Sequence, residues 1–176
     1  MIVLGIDPGY ATMGWGIIEN KGHSFHAIAY GAILTKAGDP MEERLHFIYR
    51  ELCSIIDQYQ PELVSIEELF FNTNSKTAIL VSQARGVAIL ASAEKGLAFF
   101  EYTPLQIKQA LVGYGRADKH QVQQMVKTIL ALEAIPKPDD TADALATAVC
   151  HCHSYRGRQK VNDGCIQVGH SKGGQK

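Results

Sequence analysis

Two short apolar runs in this chain each end on a carboxylate: Ile2 to Ile6 on Asp7-Pro8-Gly9, and Leu63 to Ile66 on Glu67-Glu68. Runs this short, stopped by turn or charged residues, read as strands buried on both faces, the kind that parallel pairing places at the centre of a sheet. Both faces of such strands need a cover. The chain is thereby directed to a layered α/β architecture, with a carboxylate at the end of each central strand.

The segments around these runs supply the cover. Gly14 to Glu19 and Phe25 to Leu34, separated by Asn20-Lys21-Gly22, read as extended stretches that form an antiparallel meander with the first run. From Met41 to Tyr59 apolar residues recur at Leu45, Ile48, Leu52, Ile55, Ile56 and Tyr59, the spacing of a helix with one apolar face. Beyond a loop at Phe70 to Ser75, Lys76 to Lys95 reads as a helix rich in small residues and Ala98 to Tyr102 as a strand, which completes a crossover. Pro104 opens another helix at a position where its missing N–H does no harm, and Gly113-Tyr114-Gly115 closes it. A helix from about Asp118 to Leu132 follows. After Pro136-Lys137-Pro138, Asp139 or Asp140 caps a last helix that runs to about His153. The predicted fold is α/β, with a mixed five-stranded sheet of three antiparallel and then two parallel strands flanked by helices. One domain spans residues 1–153, and residues 154–176, basic and without apolar periodicity, read as a flexible tail.

Charge decides what such a domain meets. The net charge is -1 over 176 residues, but it is unevenly spread. Residues 1–71 carry -6, residues 72–127 carry +4, residues 128–153 carry -3 and the remainder +4. Carboxylates gathered in some regions and cations in others suit a protein that holds metal ions and meets phosphates, although a basic excess over the whole domain is missing. No apolar run is long enough to span a bilayer, and Asp7 interrupts any leader-like opening, so a cytoplasmic chain without a membrane partner is expected. Cys53, Cys150, Cys152 and Cys165 form no CxxC pair and read as reduced thiols.

If the first run lies beside the strand ending at Glu67, Asp7 and Glu67 project from neighbouring strand ends about 5 Å apart. Asp140 and Asp143 are three residues apart in the opening turn of a helix, so both face one way. Four carboxylates converging on one sheet edge suit two Mg²⁺ ions per subunit, with Mn²⁺ a possible substitute, and phosphodiester hydrolysis by a two-metal mechanism. Each acid also has a plain structural role open to it. Asp7 favours an Asp-Pro-Gly turn, Glu67 or Glu68 is at home at a solvated strand end, and Asp140 can simply cap a helix. Glu68 points away from Glu67 in an extended chain, and Asp139 breaks the spacing to Asp143, so these two read as bystander and cap. His151-Cys152-His153 does not read as a zinc site, because residues two apart on a helix face different sides.

Gly5-Ile6-Asp7-Pro8-Gly9 with Gly14 and Gly16, Ile66-Glu67 followed by Phe70, Gln83-Ala84-Arg85-Gly86-Val87-Ala88, and Asp140-Thr141-Ala142-Asp143-Ala144-Leu145-Ala146 together resemble the RuvC family of Holliday-junction resolvases. Gln106-Ile107-Lys108-Gln109, Val112 to Gly115, Ala117-Asp118-Lys119 and His151-Cys152-His153 extend the likeness to about residue 153. The resemblance implies an RNase H-like fold and a homodimeric, Mg²⁺-dependent endonuclease of DNA recombination and repair. Such an enzyme nicks two strands of like polarity across a four-way junction and works with RuvA and RuvB. It places the catalytic and metal-holding acids at Asp7, Glu67, Asp140 and Asp143, and DNA contacts at Lys108 and Lys119. Phe70 matches an aromatic that stacks on an exposed base, with Phe71 as the alternative ring. Arg85 either contacts phosphate or holds its helix in place. The small residues Ala84, Gly86, Ala88 and Ala91 mark a candidate dimer contact, although a helix buried within one chain would read alike. This chain carries Glu68 where the family usually has an amide.

Three other functions share parts of this pattern. An actin-like or sugar-kinase ATPase also opens on an Asp-x-Gly turn, but it pairs two lobes where this length supplies one. A non-catalytic junction-binding module would keep the cations and lose acids. An RNase H-like nuclease acting on RNA would share the fold but not the segments around Gln83 and Lys108.

Overall fold

The computed structural model describes residues 1–22, 24–69 and 75–167, of which 75, 76 and 156–167 are described in their backbone alone. The elements run β1 (Ile2–Asp7), β2 (Thr12–Lys21), β3 (Ser24–Leu34), α1 (Met41–Tyr59), β4 (Leu63–Glu67), α2 (Ser75–Glu94), β5 (Ala98–Tyr102), α3 (Pro104–Val112), α4 (Lys119–Ile129) and α5 (Asp139–Gln167). The sheet order is β3-β2-β1-β4-β5. β1, β2 and β3 pair antiparallel, while β4 and β5 add in parallel on the other side of β1. This is the mixed sheet the sequence predicts.

The two faces of the sheet bury separate cores. On one, Leu4 and Ile6 of β1, Met13 and Ile17 of β2 and Val64 and Ile66 of β4 meet Ile48, Leu52, Ile55 and Ile56 of α1 and Ala84, Ala88 and Ala91 of α2. On the other, Val3, Ile18, Phe25 and Leu63 meet α3, α4 and α5 through Ile107, Leu111, Val122, Val126, Leu145 and Val149. Each such fully buried aliphatic side chain contributes about 1.5–3 kcal/mol relative to exposure. The covering helices are therefore held chiefly by these stripes.

Local rules set the helix ends. Thr103 accepts from the Gln106 N–H while the Gln106 side chain accepts from the Thr103 N–H, and Pro104 stands at the first turn. Asp118 and Gln121 repeat this capping box ahead of α4. Gly113 ends α3 at φ 87°, where a side chain is strained. The largest departure from expectation is α5, which continues past His153 to Gln167. No proline follows His153, and Gly157 costs a helix only about 1 kcal/mol, too little to end it. Residues 168–176 of the expected tail lie outside the described residues.

Small residues bring α5 onto the sheet. A Cβ on Gly5 of β1 would meet the Ala144 carbonyl oxygen at 2.1 Å, and one on Gly14 of β2 would meet the Asp140 carbonyl oxygen at 1.9 Å. The α5 backbone thus rests directly on β1 and β2, which is possible only where no side chain intervenes. His151, buried on α5, shares a hydrogen bond between its Nδ1 and the Tyr102 hydroxyl at 2.9 Å and packs on Phe100, with ring centroids 4.5 Å apart. His153 Nδ1–H donates to the Ala110 carbonyl at 2.8 Å. Both histidines thus engage Nδ1 in hydrogen bonds within the chain, His151 in the core and His153 partly buried beside it. Cys53, Cys150 and Cys152 are free thiols. Among the described residues no helix is long and apolar enough to cross a membrane.

Candidate active site

Register fixes the first two acids. Ile6 of β1 pairs with Ile66 of β4, so Asp7 and Glu67, each one residue further on, leave adjacent parallel strands at the same level. Across β1 on the other side, Asp7 pairs with Gly14, the residue on which the Asp140 backbone rests. Glycine at that position is what lets the first turn of α5 lie over the strand end. Asp140 and Asp143 reach the site through this close approach.

The electrostatics register the crowding. Burial pushes the Asp7 carboxyl from 3.8 up to about 8, with Asp143, Glu67 and Asp140 adding to the rise and Lys119 opposing it. Burial also raises Glu67, reinforced by Asp143 and opposed by Lys108 and Lys119. Burial raises Asp143, against the hydrogen bond and charge of Lys119. Lys119 loses some proton affinity to burial, but its hydrogen bond to Asp143 and the charges of Asp143, Asp139 and Asp140 outweigh that loss, so its net shift is upward. At Asp7, Glu67 and Asp143 alike, burial is the first cause that disfavours the charged form, and neighbouring acids add to it.

Three lysines provide the counter-charge. Lys119 Nζ lies 2.9 Å from Asp143 Oδ2 and 3.6 Å from Asp139 Oδ2. Lys137 Nζ lies 2.6 Å from Asp139 Oδ1. Lys108, one turn into α3, lines with Glu67, Lys119 and Asp143 an open cleft of about 270 Å³, walled by Ile107, Val122 and Ala146. The cleft therefore joins two acids and both predicted lysines in one space. A second cleft, between the end of β3 and α1, contains none of the four acids.

Among the described residues, no three acidic, histidine or cysteine side chains stand close enough to hold a metal ion as they are oriented. The donor set nonetheless fits a hard divalent cation. It is all oxygen and borne by rigid strand ends and a helix turn, and the rise at Asp7 is the penalty that a cation would remove. Lys119 partly supplies that positive charge at Asp143.

Other expectations are revised. Arg85 is 18% exposed and pairs with Glu101 of β5, so it ties α2 to β5, the second of the two roles read from the sequence. Ala84, Ala88 and Ala91 are buried in the chain's own core and cannot form a dimer contact; Ile79, Gly86 and Leu90 are among the exposed positions on α2. Packing against this sheet and packing against a second subunit both select small residues, and at Ala84, Ala88 and Ala91 it is the sheet side of the helix that uses them. Glu68 is exposed, and its charge acts on Arg85. Asp139, read as a cap, is a partner of Lys119 and Lys137. A lysine two residues before it in an otherwise acidic segment was the available signal. Phe70 and the alternative Phe71 lie outside the described residues.

The mixed five-stranded sheet and its flanking helices define an RNase H-like fold. The chain matches the family described as Crossover junction endodeoxyribonuclease RuvC over residues 3–151. It is similar to the crossover junction endodeoxyribonuclease RuvC of Caldanaerobacter subterraneus subsp. tengcongensis, 57% identical over 93% of this chain and 99% of that one. The enzyme of the same name from Alkaliphilus oremlandii is 61% identical over 88% and 94%. Among solved structures, that of T. thermophilus RuvC in complex with Holliday junction substrate superposes with a TM-score of 0.82 at 33% identity, covering 89% of this chain and 96% of that one. The chain belongs to the RuvC crossover junction endodeoxyribonuclease family. It is a metal-dependent nuclease.

Proposed function

We propose that this chain resolves four-way DNA junctions by symmetric hydrolysis of two phosphodiester bonds in strands of like polarity, with Asp7, Glu67, Asp140 and Asp143 as its catalytic acids. The observation that carries this reading is the level placement of Asp7 and Glu67 on adjacent strands, beneath the α5 turn that bears the other two acids. The relative solved with a Holliday junction substrate supports the choice of DNA.

Two Mg²⁺ ions held by these carboxylates would supply an activated water and stabilise the departing 3′-oxygen, with Mn²⁺ as a substitute. Asp7 and Glu67 present their oxygens from strand ends that cannot shift without breaking the sheet, so the reacting phosphate is aligned by rigid backbone. Lys108 and Lys119 line the wall of the cleft and offset the negative charge that builds on the phosphoryl oxygens. The P–O3′ bond breaks as the water oxygen bonds to phosphorus. A 5′-phosphate and a 3′-hydroxyl remain, the pair that ligation requires.

Symmetric cutting requires two sites related by a twofold axis, hence a homodimer. Ile79, Gly86 and Leu90 fall on one stripe of α2 and are exposed, which makes this helix the favoured contact. Phe70 would stack on a base at the crossover, residues 1–153 act as the nuclease domain, and the basic segment 154–176 adds to DNA affinity. RuvA and RuvB are the expected branch-migration partners, and the cytoplasm is the expected compartment. The test is cleavage of a labelled mobile-core junction beside linear duplex, with Mg²⁺ or EDTA, by wild type and Asp7→Asn. Paired nicks confined to the junction and lost in EDTA and in the variant are expected. Junction binding without cleavage in Mg²⁺ or Mn²⁺ would sink the proposal.

A further inference from the structure

The turn that follows Asp7 is gripped from the opposite side of the sheet by a side chain outside the acid cleft. Arg44 stands in the first turn of α1, and both its Nε and Nη2 donate to the Thr35 hydroxyl oxygen, at 2.9 and 2.7 Å. That hydroxyl donates its own hydrogen to the Tyr10 carbonyl at 2.7 Å, and Arg44 Nη2 reaches the same carbonyl at 3.4 Å. The Thr35 N–H donates to the Ala11 carbonyl at 3.0 Å. The guanidinium carbon also sits 3.8 Å from the centroid of the Tyr10 ring, within cation–π range. One planar side chain thus fixes the backbone, the ring and the hydroxyl partner of a single turn.

That turn has no slack elsewhere. A Cβ on Gly9 would meet the Thr12 carbonyl oxygen at 1.8 Å, and the α5 backbone presses on Gly14 from the acid side. Asp7 is joined to Tyr10 only through Pro8 and Gly9. Release of Tyr10 would therefore be felt at the Asp7 carboxylate, and a misplacement on the order of 1 Å in a catalytic group can cost about 100-fold in rate. The fork matters as well as the charge: a lysine ammonium is a point donor and cannot reproduce two fixed N–H directions together with a flat face over a ring.

We propose that Arg44 is a positioning residue for the nuclease reaction, acting through the Thr35 hydroxyl and the Tyr10 carbonyl to set where Asp7 stands relative to Glu67 and Asp143. The proposal rests on the reading of Asp7 as a metal-holding catalytic acid. Among the described residues no carboxylate lies within ion-pair distance of Arg44, and its side-chain hydrogen bonds go to Thr35 and Tyr10 of this turn. Arg44 also lines the cleft between the end of β3 and α1, on the far side of the sheet from the acids, and touches neither Lys108 nor Lys119.

The test uses the full chain as wild type, Arg44→Gln, Arg44→Lys, Thr35→Val and Asp7→Asn. Urea melts, junction affinity in EDTA, Mn²⁺ binding without DNA by electron paramagnetic resonance, and single-turnover cleavage across a Mg²⁺ titration are measured on each. For both Arg44 variants and Thr35→Val the expected result is junction affinity within twofold of wild type, a Mn²⁺ dissociation constant raised at least fivefold, and a cleavage rate at saturating junction lowered at least tenfold. Combining Arg44→Gln with Thr35→Val should be no worse than either alone, since the two act through one contact. Mn²⁺ binding and cleavage within twofold of wild type in Arg44→Gln and Thr35→Val overturn the proposal. Should Arg44→Gln fail to fold, the near-isosteric Thr35→Val decides by the same thresholds. Full cleavage by Asp7→Asn would instead overturn the reading of the acids, whatever the other variants do.

Discussion

Replacing Asp7 by Asn should remove activity and, in the absence of metal, strengthen the fold. The Asp7 carboxyl is raised from 3.8 to about 8 by burial and by Asp143, Glu67 and Asp140. In the unfolded chain it ionises near its ordinary value, so its protonated form favours the folded state. The stability this confers is fully present below about pH 4 and is lost progressively as pH rises towards 8. The rise from 3.8 to about 8, at ~1.36 kcal/mol per pH unit, sets a ceiling of about 6 kcal/mol lost by pH 8 and above. Asp7 is only partly buried, and water reaching its carboxylate reduces the expected loss to roughly half of that ceiling, about 3 kcal/mol. Asn has nearly the same shape and does not titrate. In EDTA at pH 8.5, Asp7→Asn should therefore unfold at higher urea than wild type by about 3 kcal/mol, and the gap should shrink to about 1 kcal/mol or less at pH 5. Saturating Mg²⁺ should stabilise wild type and leave the variant almost unchanged. An advantage that is equal at the two pH values, or a variant less stable at pH 8.5 in EDTA, would refute the argument that the acids strain the fold.

Two further outcomes follow from packing. Gly14→Ala places a methyl group against the Asp140 carbonyl, so α5 must lift from β2; cleavage should fall at least 100-fold and stability by about 2–4 kcal/mol, read by junction cleavage and urea melts. Leu90→Glu puts a charge into the exposed stripe of α2 and should convert a dimer to a monomer in analytical ultracentrifugation with little change in the monomer's far-UV circular dichroism; an unaltered dimer would place the contact elsewhere.

Much of the fold was legible because its signals are local. Strand ends at Asp7 and Glu67, the apolar period of α1, and the Pro104 and Gly113 boundaries of α3 each depend on a few neighbouring residues. The same is true of the turn chemistry that separates β2 from β3. The acid pairs were legible for a related reason: two carboxylates follow apolar runs, and two share a helix turn. The residues carrying the family likeness, Asp7, Glu67, Asp140 and Asp143 among them, also occur as compact motifs.

What lay beyond the sequence depends on contacts between distant segments. Ala84, Ala88 and Ala91 look the same whether they meet a second subunit or this chain's own sheet, and only the assembled layers place them inside. Arg85 found Glu101, Lys119 found Asp139 and Asp143, and Arg44 found Thr35 and Tyr10 through chain reversals that no periodicity encodes. The glycines at positions 5 and 14 could be read as turn or strand features, yet their use is to let α5 touch β1 and β2, a fact of two surfaces meeting. Sequence by itself determined the elements and the kinds of chemical groups at their ends, because propensity and patterning act over a few residues. Tertiary structure decided which groups meet, because burial and charge act between surfaces that only the folded chain brings together.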